Sequence, residues 1–174
     1  MPGAHGVIAR FLRRLAQAFA LLGSATALGV AALTVTSVAL RALTTQPIQG
    51  DVELAQFGIA LAISLSVPWC QLRGANIIVD FFTQGLRAAS IRRLDGIGAL
   101  LIAAMFALLA GRTGVGAFAV HAAGETSMIR GLPMWWVYAS LAPGLALAAW
   151  IAALQGLLQL RGRSLDVLHG GAPT

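Results

Sequence analysis

"GLPMWWVYASLAPGLALAAWIAALQGLLQL", residues 131–160, runs for 30 residues without an Asp, Glu, Lys or Arg. About 20 apolar residues are enough to cross the hydrocarbon of a bilayer. A soluble domain of this size would leave much of such a stretch uncovered. The same signal recurs upstream. Residues 15–40 carry no charge over 26 residues, 54–72 none over 19, and 96–111 none over 16, with the apolar pattern continuing past Arg112 to Val120. The 174 residues are 58% hydrophobic and 10% charged, where an ordinary soluble domain carries about 25% charged residues. The pattern predicts an all-α membrane protein with four transmembrane helices, over about 15–40, 53–72, 95–119 and 133–160. Residues 1–14 then form an N-terminal segment and 161–174 a tail.

A cleaved leader is the rival reading of the first run, because "SATALG" (residues 24–29) resembles a small-residue cleavage site. A signal peptide's apolar core spans about 7–15 residues, whereas this run continues to Leu40, so a retained helix is expected. The twelve basic residues are all Arg. Nine of them (Arg10, Arg13, Arg14, Arg73, Arg87, Arg92, Arg93, Arg161 and Arg163) fall on one side of a four-span chain. Arg41, Arg112 and Arg130 fall on the other. That asymmetry predicts cytoplasmic termini in a multi-pass protein. The arginines cluster at the ends of apolar runs rather than in a patch with interleaved aromatics. Anionic lipids, and not nucleic acid, are therefore the expected partners of this charge.

Between the second and third runs, "LRGANIIVDFF" (residues 72–82) sets Asp80 among large apolar side chains. Helical spacing puts Ile78, Phe82, Gly85, Leu86 and Ala89 on one face and Asp80, Thr83, Gln84 and Arg87 on another. This predicts a cytoplasmic amphipathic helix over about 76–90, lying along the membrane surface, with Arg87, Arg92 and Arg93 at the headgroups. On the opposite side, Pro133 suits the first turn of the fourth helix, and Trp135, Trp136 and Tyr138 suit an interfacial aromatic belt.

A search for chemistry finds little. The three histidines, His5, His121 and His169, share no helix at ligand spacing, and the single Cys70 excludes a multi-cysteine site, so neither metal nor cofactor is expected. No nucleophile triad, P-loop or dinucleotide fingerprint is present, which argues against an enzyme. The six acids (Asp51, Glu53, Asp80, Asp95, Glu125 and Asp166) all lie at helix ends, in loops or in the tail. A transporter acting alone would place one near mid-membrane. Arg112 is the ionic residue inside an apolar pattern, and two readings of it stand. It snorkels to the headgroups while Glu53 faces water, or it pairs with Glu53 or a partner subunit.

The order of these segments resembles the small, four-helix permease subunit of the tripartite ATP-independent periplasmic (TRAP) transporters. Members have an acid opening the second helix, a cytoplasmic "RxGxHIxVD"-like motif, basic residues before the third helix, and a "P-x-x-x-Y"-like opening of the fourth. Here Glu53, "RGANIIVD" from Arg73 through Gly74 and Asn76 to Asp80 (with Arg73 directly before Gly74), Arg92 with Arg93, and Pro133 to Tyr138 (one residue longer than the pattern) take those places. Asn76 stands where the family often has His, and Gln56 where it tends to have Arg. The resemblance implies a non-catalytic subunit of the bacterial inner membrane. It would scaffold a large permease subunit for sodium-coupled uptake of a solute, such as a carboxylate, brought by a periplasmic binding protein. Glu125, Arg130, Trp135 and Trp136 are then candidates for periplasmic docking. An independent small exporter and a membrane anchor of a redox complex are the alternatives.

Overall fold

The computed structural model of the chain describes residues 4–46, 48–74 and 88–162. Four α-helices account for nearly all of them: α1 (Ala4–Thr44), α2 (Asp51–Leu72), α3 (Ala88–Ala123) and α4 (Trp135–Leu160). All four are long and apolar enough to cross a membrane. Helix is the secondary structure that such sequence can adopt in lipid, because every backbone N–H and C=O must find its partner within the segment. At about 1.5 Å per residue, α1 with its 41 residues is about 62 Å long and α3 with 36 is about 54 Å. Both exceed the roughly 30 Å of hydrocarbon. They run past the apolar stretches at the end that carries Arg10, Arg13, Arg14, Arg92 and Arg93, since a helix does not stop where lipid does. The surface helix expected over 76–90 lies outside the described residues, except that 88–90 open α3.

The helices stand side by side in the order α1, α2, α4, α3, with α1 touching α4 only glancingly. Small residues set each crossing. At α1–α2, a methyl group on Gly23 would come within 2.7 Å of Ser66 Oγ and 2.9 Å of the Ala62 carbonyl. At α3–α4, Gly96 and Gly156 face each other so closely that a Cβ on Gly156 would lie 2.9 Å from the Gly96 carbonyl. The tightest approach is α2–α4, where a Cβ on Gly144 would run into the Ser64 carbonyl. Pro68 explains why that carbonyl is turned outward. It lies inside α2 and has no N–H to give to the carbonyl four residues earlier, which is Ser64. Ser64 Oγ in turn donates to the Leu141 carbonyl at 2.7 Å. Helices in lipid associate by close packing and interhelical hydrogen bonds of this kind, because lipid supplies no hydrophobic drive between them.

The deepest packing is toward the arginine-rich end. Ala16 of α1, Leu72 of α2 and Ile151 of α4 are fully buried together, with Trp69, Leu147 and Leu158 against them. The outward faces of α1 and α3 remain apolar and exposed.

Candidate functional site

Two polar constructions close the two ends of the helix row. At the arginine-rich end, Gln71 Nε2 donates to Gln155 Oε1 at 2.8 Å. Gln155 Nε2 donates back to the Gln71 carbonyl at 3.0 Å and the Leu72 carbonyl at 3.4 Å. The last carbonyls of a helix have no partner within it. Here the Arg73 and Gly74 N–H groups serve Trp69 and Gln71, and a glutamine from α4 reaches across to Gln71 and Leu72. Both glutamines are buried. Gly74 then turns the chain with φ of 63°, and the Arg73 guanidinium lies 5.0 Å from the Trp69 ring centroid. Arg92 and Arg93 are exposed at the start of α3. Asn76, Asp80 and Arg87 of the expected interfacial motif lie outside the described residues.

At the opposite end, residues 125–134 form a short hairpin. Thr126 and Pro133 pair across it. The Ser127 N–H donates to the Leu132 carbonyl at 2.8 Å, and the Met134 N–H to the Glu125 carbonyl at 3.0 Å. Ser127 Oγ accepts the Leu132 N–H at 3.0 Å, and Gly131 supplies the left-handed turn at φ 65°. Met128 and Ile129 form the tip, Met128 with its whole side chain exposed. Arg130 binds the hairpin to the α1–α2 connection. Its Nε donates to the Gln49 carbonyl at 2.9 Å, its backbone N–H to Glu53 Oε2 at 3.3 Å, and its side-chain stem covers Gly50, whose φ is 75°. Ser37 of α1 completes this end by donating to the Asp51 carboxylate and accepting the Ile48 N–H. Trp135 stacks edge-on against His121 at 5.2 Å and beside Trp136 at 5.0 Å.

The structure thus brings Glu53 and Arg130 together, and places Glu125, Trp135 and Trp136 on the same end. Arg112 is elsewhere. It is exposed on α3, with α4 standing between α3 and α2, and among the described residues no ion pair joins it to Glu53. It falls in a ridge of exposed side chains: Leu101, Met105, Leu108, Arg112 and Val115. Their spacing of four, three, four and three residues keeps them on one face of α3.

Among the described residues, no group of three or more His, Cys, Asp or Glu could hold a metal. Among the described residues, the buried polar side chains are Ser37, Ser64, Gln71, Ser127 and Gln155, all neutral and all hydrogen-bonded, while half-buried Gln159 keeps its Oε1 buried without a partner. Groups of that kind join helices and do not turn over a substrate. Sequence reasoning missed the glutamine pair. Its signal was present, as two lone amides interrupting apolar runs near the ends of two helices.

These features define a class: a four-helix integral membrane protein built for packing, with polar groups spent on joining its own helices. Residues 30–162 match the model of the tripartite ATP-independent periplasmic transporters, DctQ component. The chain belongs to that family and is the small, non-enzymatic permease subunit of a TRAP transporter. No curated protein and no solved structure matches it.

Proposed function

We propose that the chain scaffolds the large permease subunit of a sodium-coupled transporter, with both termini in the cytoplasm. The solute, a carboxylate, is delivered by a periplasmic binding protein. The α3 ridge is the observation that carries this reading. Arg112 lies nine residues before His121, or about 13 Å deeper along the helix. The His121–Trp135 contact sits at the level where interfacial aromatics belong. A guanidinium at that depth in the middle of an apolar seam is costly facing lipid, about 2.5–3.5 kcal/mol at a helix centre on insertion scales. Opposite a carboxylate or helix carbonyls of a partner, the cost is met. Arg112 therefore marks the face that meets the large subunit, while the hairpin with Glu125, Arg130, Trp135 and Trp136 faces the periplasm, where the binding protein docks.

Co-expression with a large TRAP permease subunit, followed by purification in mild detergent, tests the assignment. The two are expected to purify together and to support uptake only as a pair. Solute uptake by this chain alone in liposomes would refute it.

A further inference from the structure

We propose that the chain holds an anionic phospholipid in a groove between α1 and α4, with the acyl chain among apolar side chains and the headgroup at the arginine-rich end. The groove has a volume of about 630 Å³ and is lined by Phe11, Leu12, Leu15 and Phe19 of α1 and by Pro143, Leu147 and Trp150 of α4, among others. It exists because α1 leans on α2 at Gly23 and leaves α4 almost untouched.

Ala16 of α1 and Ile151 of α4 belong to one buried cluster with Leu72, which sets the relative height of the two helices. Counting along each helix, Pro143 lies about 12 Å to one side of that level and Phe11 about 7.5 Å to the other. The slot is thus about 20 Å long, more than the roughly 15 Å of one leaflet's hydrocarbon. An acyl chain suits the length and the apolar lining.

Charge names the headgroup. Arg10 on α1 and Arg161 at the end of α4 are exposed beyond the end of the groove away from Pro143, and Arg14 is exposed beside it, between Leu12 and Leu15. Arg161 lies eleven residues after Trp150, three full turns, and so on the same face of α4, about 16 Å below it. An extended chain tethered at Arg161 reaches Trp150 and the slot above. The interaction is a lipid phosphate held by guanidinium groups at a membrane boundary. This site is separate from the α3 ridge and does not depend on the role assigned to it.

Trp150 reports occupancy directly. In nanodiscs of phosphatidylcholine, a variant with Trp69, Trp135 and Trp136 replaced by Phe leaves Trp150 as the sole emitter. One-tenth of brominated phosphatidylglycerol is expected to quench it at least twofold more than the same fraction of brominated phosphatidylcholine. Arg14→Gln with Arg161→Gln should abolish the difference. Equal quenching by the two lipids would overturn the proposal. Native mass spectrometry of the unsubstituted chain gives a second readout that needs no tryptophan changes. Phosphatidylglycerol adducts should survive mild detergent and disappear in Ala146→Phe, which fills the slot. Absence of adducts, or adducts indifferent to Ala146→Phe, would overturn it. So would quenching lost on assembly with the large subunit, which would mean the groove receives that protein.

Discussion

Replacing Gln155 by Leu keeps roughly the volume of the side chain and removes everything polar about it. In the native protein Gln155 is 4% exposed and Gln71 is 3% exposed. The substitution takes away the acceptor of the Gln71 amide and the donor that reaches the Gln71 and Leu72 carbonyls. A buried polar group deprived of its partner costs about 1–3 kcal/mol. Single hydrogen bonds between membrane helices average about 0.6 and reach about 1.7 kcal/mol. The Gly74 N–H still serves the Gln71 carbonyl, which lowers the loss. Gln155→Leu is therefore expected to cost about 2 kcal/mol and Gln71→Leu about 1–2 kcal/mol. Together they should cost less than the sum, by about 0.6–1.7 kcal/mol, because either single change already breaks the shared bond. Equilibrium unfolding in mixed micelles, followed by the fluorescence of Trp69 half a turn from Gln71, measures all four corners of the cycle. Additivity within about 0.3 kcal/mol, or a neutral Gln155→Leu, would refute the claim that this pair fastens α2 to α4.

Gly144→Val should lower stability by about 1–3 kcal/mol, because the Ser64 backbone has nowhere to go; a thermal melt unchanged from wild type would contradict the close crossing. Arg112→Leu should reduce recovery of the large subunit about tenfold, equal to about 1.4 kcal/mol, while the isolated chain becomes no less stable. Undiminished recovery would return Arg112 to snorkelling. Arg130→Ala frees the hairpin from Gln49, so amide exchange at 125–134 should speed up while exchange in α4 stays unchanged. Met128→Asp with Ile129→Asp leaves the hairpin's hydrogen bonds intact and should weaken solute uptake by the assembled transporter at limiting binding protein, with assembly itself unaffected.

Much of the fold was legible because lipid reduces the problem to length and charge. A long, largely apolar run without charge has one stable backbone solution in a bilayer, and four such runs with arginines at their ends leave little choice of class. The order of the helices was not legible. It rests on glycines such as Gly58, Gly96, Gly144 and Gly156, whose significance lies in what stands opposite them. In a chain with 20 glycines, spacing does not single these out, and Ala27, a small residue four positions after the buried Gly23, is exposed.

The site residues divide along the same line. Glu53 was recognisable as an acid opening a helix, but its partner was not. The structure gives it the backbone N–H of Arg130, a contact between residues 77 apart that the residue types do not announce. Arg112 was recognisable because a charge inside an apolar pattern always demands an explanation. What the sequence does not carry is the helix order that sets α4 between it and Glu53. Once that order is known, the seam of Leu101, Met105, Leu108 and Val115 around Arg112 can be read straight from its spacing, and it points away from the rest of the chain. A helix face that its own protein leaves uncovered, with a guanidinium at its centre, is the ground on which we propose that a second subunit lies against it.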